Sequence, residues 1–233
     1  MSKLTTIDTL PIPMLVLDSG PCAGKSTILS AIEDRFDELV LTVPEAATQV
    51  LAEEVVAKPD QNLLEWYDRI GAAESKTAIW HEYKHHLQDA VLKRMIELET
   101  VAQQQACEQG KKLIVVDRGA AGVSHFHPDG NACWSKLTWA RIHHLDAVSA
   151  LSRYHSVILL ESLAVHHPEL YEQHCASNPV RGETTQEAVA QQCGIRAAWG
   201  KHPRCAHICN FGRNIDDVTR LVYNQIEQTI GEL

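Results

Sequence analysis

The sequence predicts an α/β domain: a parallel sheet of about five strands, helices on both faces, and a helical lid inserted over one edge. Three observations carry that expectation. Short apolar runs alternate with longer segments of helical period, the order that closes a parallel sheet covered on both sides. The first apolar run ends in a glycine-bearing turn that feeds directly into a helix. From 163 to 203 the chain turns polar, with many His, Arg and Glu and no run suited to a strand.

Residues 14–19 (MLVLDS) are expected as a buried first strand. After a turn at 20–27, Ile28, Leu29, Ile32 and Phe36 recur at helical spacing. Residues 39–43 (LVLTV) read as a second strand ended by Pro44, followed by helical segments with a break near Pro59 and Asp60. The longest helix is expected over 74–109, on a stripe of Ile79, Tyr83, Leu87, Val91, Met95, Leu98 and Ala102 closed by Gly110. Residues 113–117 (LIVVD) read as the third strand, the stretch to Asn131 as a loop, and 137–151 as a helix. Strands over 157–160 and, more weakly, 206–209 follow, then a last helix on Ile215, Val218, Val222, Ile226 and Ile230. With no internal repeat and no linker, one domain over 1–233 is expected, with 163–203 as the inserted lid region.

Composition removes several function classes. A chain of 233 residues can bury a full core without disulfides or a structural metal. A net charge of −9 with no compensating Lys/Arg stripe argues against a nucleic-acid partner, because phosphate-backbone binding needs such a stripe. No apolar run approaches the ~20 residues of a membrane helix, and residues 1–13 do not read as a signal peptide. Seven cysteines, an odd number without framework spacing, suit a reducing compartment. The expectation is a cytoplasmic protein with no membrane partner, and no pattern speaks to oligomeric state.

The turn Gly20-Pro21-Cys22-Ala23-Gly24-Lys25-Ser26-Thr27 lies between the first strand and the first helix. Successive backbone N–H groups in such a turn point inward as an anion cradle, and the helix N-terminus adds partial positive charge there. Lys25 can then reach the β- and γ-phosphates of a nucleotide, and the Ser26 hydroxyl can ligate Mg²⁺. The full P-loop pattern asks for Gly where this chain has Ser19, a mild departure. Cys22 inside the cradle has two readings: an accessible thiolate favoured by the surrounding N–H groups and Lys25, or a small residue packed under the loop.

In an open parallel sheet, ligands bind beyond the carboxyl ends of the strands. Asp18, Glu45 and Asp117 all fall there. Asp117 is expected to hold Mg²⁺ with Ser26, and Arg118 to contact a transferring phosphoryl group. Glu45 is placed to accept a substrate hydroxyl proton or to order a water on Mg²⁺. As plain strand-end groups, the same acids would only cap helices.

The segments SGPCAGKST, TVPEAA, VVDRG and NPVRGETTQEA, with AAW and HPR downstream, resemble the P-loop kinase-like family that includes bacterial nicotinamide riboside kinase domains and related predicted ATPases. More distantly they resemble deoxynucleoside and thymidylate kinases. The resemblance spans roughly 14–230. It implies ATP phosphoryl transfer under a mobile lid, with Arg181, Arg196 and Arg204 in or beside that lid. It also implies base contacts from Asn210 and Arg213. Relatives often carry Gly at the position of Cys22, which bears on the loop's backbone freedom. Trp66 and Tyr67 line an acceptor pocket or pack in the core.

Two metal-like patterns compete with this reading. His81-Glu82-Tyr83-Lys84-His85 matches HExxH, yet both histidines lie off the apolar stripe and no third ligand follows, so a solvated helix face is expected. Cys205, His207 and Cys209 alternate on one face of a strand, too collinear to surround a metal, with His202 nearby; a buried strand face is expected. The sequence thus points to Mg²⁺-ATP-dependent phosphoryl transfer to a small hydroxyl-bearing metabolite, a nucleoside among the candidates. The alternative is a nucleotide-dependent switch with slow hydrolysis. No NKxD sequence supports a GTPase, and the chain has no room for the extra helical domain of an AAA+ motor.

Overall fold

A computed structural model describes residues 11–57, 78–176 and 183–233. Pro59, Asp60, Trp66, Tyr67, the first residues of the helix expected from 74, and Arg181 lie outside the described residues. Five strands, β1 (Met14–Ser19), β2 (Val40–Val43), β3 (Leu113–Asp117), β4 (Ser156–Leu160) and β5 (Cys205–Ile208), form one parallel sheet in the order β2-β3-β1-β4-β5. The expected α/β architecture is therefore the one observed, with strand limits within a residue of those read from sequence. The helices are α1 (Lys25–Phe36), α2 (Ala46–Ala57), α3 (Ala78–Gln109), α4 (Val123–Phe126), α5 (Thr138–Ile142), α6 (Ala147–Ser152), α7 (Leu163–His166), α8 (Pro168–Ala176), α9 (Thr185–Trp199) and α10 (Ile215–Gly231).

Strand parity decides which side chain meets which layer. On one face Leu15, Leu17, Leu113, Val115, Ile158 and Leu160 pack with Ile28 and Ile32 of α1 and Val218, Val222 and Ile226 of α10. On the other, Met14, Val16, Ile114, Val116, Val157 and Leu159 pack with Leu92 and Ile96 of α3 and Ile195 and Trp199 of α9. Both faces are dry, so β1 and β3 read as unbroken apolar runs rather than alternating ones. Burial at about 25 cal/mol per Å² of apolar surface makes these two layers the main favourable term in folding.

The segments between β3 and β4 differ from expectation. In place of a loop, 3₁₀ turns at Ala120–Gly122 and Gly130–Ser135 flank the short α4, with Ala120, Ala121 and Val123 buried. Pieces of four residues are too short to display a helical period. The helix expected over 137–151 is two helices, because His144 adopts a left-handed φ of 53° and Asp146 starts α6 with a capping box. Among the described residues no helix is long and apolar enough to cross a membrane.

Within 163–203, α9 is part of the main body: Ile195 and Trp199 are fully buried, and the helix packs against β1 and the turn after β3. Gly119 sits under that contact. A Cβ there would lie 2.9 Å from Trp199, Tyr154 and Val16, although the backbone is extended and unstrained. Gly119→Ala should therefore destabilise the protein by overpacking, by about 1–3 kcal/mol. The check is a lower urea midpoint at unchanged m-value, and an unaltered midpoint would contradict the packing account.

Candidate functional site

The site is built where β1, β2 and β3 end on the same sheet edge. β1 is the switch point of the sheet, with β3 and β4 on either side, and a crevice at such a point is where open α/β sheets bind ligands. From β1 the chain enters Gly20–Gly24 and then α1. Cys22 (φ 55°) and Gly24 (φ 79°) both take left-handed backbone, which turns the loop tightly enough to aim it at the helix start. At Gly24 a side chain is doubly excluded, since a Cβ would also lie 2.5 Å from Ile215 Cδ1.

The start of α1 is left bare. Its N-cap is Gly24, with no side-chain cap and no acidic residue in the first turn. Helices α6, α9 and α10 are instead capped by Asp146, Thr184 and Asn214. The first-turn N–H groups of α1 have no intrahelical acceptors, so this end is suited to an external anion. Ser26 and Thr27 are exposed in that turn. The hydroxyl of Ser26 and the carboxylate of Asp117 are hard oxygen donors of the kind Mg²⁺ takes, and fit the expected metal pair.

Parity places the two aspartates on opposite faces. Asp117 follows Leu113 and Val115, so it points toward α1, where it forms an ion pair with Lys25. Burial raises the Asp117 pKa, against the pull of Lys25 and Arg118. Asp18 follows Met14 and Val16 toward α9 and is fully buried. Its Oδ2 accepts from Trp199 Nε1 at 2.8 Å, and its Oδ1 accepts from Arg118 Nη1 at 3.1 Å.

Arg118 is the hub of the edge. It donates through Nε to Glu45 and through Nη1 to the Ser19 carbonyl at 3.2 Å, with Phe126 stacked under the guanidinium at 5.3 Å. Its φ of 66° is a left-handed conformation costly for a branched-off side chain, held by its N–H to the Leu17 carbonyl. Of the expected catalytic residues, Lys25, Glu45, Asp117 and Arg118 thus converge. Of the other arginines, Arg204 lies just before β5, at the amino edge, paired with Glu232 and His155. A parallel strand carries its two ends to opposite edges, so Arg204 is remote from the loop. Arg196 is exposed on α9. A surface cavity of about 460 Å³ beside His155, Arg204 and Gln228 also belongs to that amino edge.

Sequence reasoning missed three contributors. Gln192 of α9 accepts from the N–H groups of Gly20 (2.9 Å) and Ser162 (3.0 Å) and donates to the Leu160 carbonyl. Trp199 holds Asp18. His125 of α4 sits near Asp18 and Arg118, with burial lowering its pKa, and it occupies the space a side chain at Gly194 would need. The only sequence signal for Gln192 is a polar residue on the buried stripe of a helix. Cys22 packs against Ala164, Tyr171 and Ala188, which supports the packed one of its two readings.

The metal-like patterns resolve differently from expectation. His81 is exposed, but His85 is half-buried with Nδ1 3.0 Å from Nε2 of the buried His127, so that face is not simply solvated. On β5, Cys205 lies 3.7 Å from an exposed His207, while His202 is buried against the Tyr154 carbonyl. Cys209 turns away to other partners. The strand is a half-covered edge rather than a buried face.

Burial raises the Glu45 pKa, but the charges of Arg118 and Lys25 and a hydrogen bond from Thr48 outweigh it and carry it down to about 2. A depressed folded pKa contributes stability that is complete above the ordinary value of 4.5 and is lost as pH falls toward 2. The stability gap between wild type and Glu45→Gln should therefore be widest above 4.5 and close on acidification toward 2. Urea midpoints of both proteins across that range decide it; a gap independent of pH would contradict the Arg118–Glu45 pairing.

A family model described as an AAA domain matches residues 16–214. A search of curated proteins finds no match. The matched span begins inside β1 and ends at the cap of α10, so it takes in the phosphate-binding turn and every strand end described above. It is broader than the nicotinamide riboside kinase resemblance read from the motifs, and it does not single out a kinase. The chain belongs to the AAA-domain family and is a P-loop nucleotide-binding domain.

Proposed function

We propose that the protein transfers the γ-phosphoryl group of ATP to a small hydroxyl-bearing metabolite, a nucleoside being one candidate class. One observation carries this reading: Arg118 is fixed between Asp18 and Glu45 beside the Lys25–Asp117 pair, so two cations and the Glu45 carboxylate share one edge of the sheet. A second cation there suits the charge of a transferring phosphoryl group.

Lys25 leaves Asp117 for the β- and γ-phosphates when nucleotide enters. Asp117, half stripped of its countercharge in a buried setting, then needs a replacement cation. Ser26 and Asp117 would hold Mg²⁺, which would supply charge neutralisation to the phosphates. Arg118 stabilises charge on the transferring group, with Arg181 as a further clamp. The acceptor hydroxyl oxygen bonds to the γ-phosphorus as the bond from phosphorus to the bridging oxygen breaks, ADP leaves, and the hydroxyl proton passes to solvent. Glu45, ionised down to about 2, is a weak base and acts by orienting the hydroxyl through a hydrogen bond. Such catalysis is chiefly positioning and charge neutralisation.

Two outcomes are expected. Lys25→Ala should weaken Mg²⁺-ATP binding at least about 10-fold by calorimetry, since it removes a charge-assisted contact to phosphate, while circular dichroism shows that the variant still folds. Unchanged affinity would remove the P-loop role of Lys25. With ATP, Mg²⁺ and pooled metabolites, ADP release should rise sharply and mass spectrometry should find a phosphorylated product. Slow, acceptor-independent hydrolysis across broad pools, together with a protein partner that alters nucleotide affinity, would replace the kinase with a switch.

A further inference from the structure

At the same carboxyl edge, but on the far side of β1 from Asp117, three unlike side chains converge. Glu161 directly follows β4, His166 ends α7 and Cys209 directly follows β5. One ligand atom from each, a carboxylate oxygen, an imidazole nitrogen and the thiol sulfur, all lie within 4.8 Å of one another. Nε2 of His166 is 3.1 Å from Oε2 of Glu161. Among the described residues this is the group whose donors come together in this way. β3 and β4 are two strands apart in the sheet, so this cluster stands roughly 10 Å from the Lys25–Asp117 pair.

Hydrogen bonding alone leaves the cluster incomplete. Oε2 of Glu161 is shielded from water and has no hydrogen-bond partner among the described residues, with His166 Nε2 standing 3.1 Å away. A dry carboxylate oxygen without a donor is uncommon and calls for an explanation, a cation being one. The surroundings hold the donors in place. The His166 ring lies 5.2 Å from that of Phe211, Asn210 donates to the Glu161 carbonyl at 3.1 Å, and Arg213 donates to the Cys209 carbonyl at 2.6 Å.

We propose that Glu161, His166 and Cys209 form a binding site for a divalent cation of zinc type, distinct from the Mg²⁺ site at Ser26 and Asp117. Mixed sulfur, nitrogen and oxygen donors select a borderline-soft ion over Mg²⁺ or Ca²⁺. Three protein donors leave the fourth tetrahedral position to water or a ligand. Binding forms the metal–sulfur bond as the thiol proton is released to solvent. An ion here ties the ends of β4 and β5 to α7. Ser162, the residue that caps α7, donates to the Pro21 carbonyl of the phosphate loop, so the clamp reaches that loop through one side chain.

The test uses the full chain, stripped of metal by chelation and kept reduced. Zn²⁺ titrated against a chromophoric chelator should bind at one equivalent, and Co²⁺ should give a thiolate charge-transfer band with the strong visible absorption of tetrahedral geometry. Cys209→Ser should abolish the charge-transfer band. His166→Gln, at an exposed position, should weaken Zn²⁺ binding at least about 100-fold, more than loss of a group that merely orients a ligand. Cys205→Ser should leave both signals intact, which separates this site from the Cys205–His207 pair. Metal-free melting temperatures near wild type establish that the variants fold. The site is overturned if wild type binds no Zn²⁺ above the level of Cys209→Ser, or if His166→Gln binds it as tightly as wild type.

Discussion

Asp18 is a carboxylate with no access to water, on a strand in the middle of the sheet, and the carboxyl edge is arranged around its compensation. Arg118 supplies the countercharge and Trp199 the second hydrogen bond. Removing one partner from a buried pair costs on the order of 3–5 kcal/mol, because the other charge is left stranded. That constraint explains why Arg118 tolerates a left-handed backbone, why Gly119 must be small beneath Trp199, and why α9 cannot shift freely from β1. Arg118 is then available to Glu45 at a fixed position rather than sweeping through solvent.

The two faces of the sheet divide the chemistry. Asp117, on the α1 face, answers to Lys25; Asp18, on the α9 face, answers to Arg118. Arg118 directly follows Asp117, so the alternation of side chains along the strand already assigns it to the other layer. The two cations of this edge thus answer to different carboxylates on different faces.

The sheet was legible because each buried strand is a short run of apolar residues between turn signals, and the phosphate turn because its spacing, its strand and its helix coincide. Asp117, Glu45 and Arg118 could be named from their place at strand ends. The network that orients them was hidden, since Gln192 and Trp199 reach the site from a helix whose polar context resembles an exposed insertion. Strand parity, visible in MLVLDS and LIVVD, already separates Asp18 from Asp117; which helix each faces is settled only by packing. The pairing of His85 with His127 and of Cys209 with Glu161 and His166 was equally out of reach. Such contacts join residues 40 or more positions apart, and no local period records them.

The Gln192 amide has a consequence for synthesis. Its oxygen holds the N–H of Gly20 across a separation of 172 residues, and its nitrogen reaches the end of β4. The opening residue of the phosphate turn thus waits for a helix made 172 residues later. Contacts of such long sequence separation form late, after the closure entropy of the intervening chain has been overcome. A nascent chain bearing only the first strands and α3 carries the whole glycine-lysine motif but not the completed loop. The geometry of the turn is thereby tied to the synthesis and docking of α9.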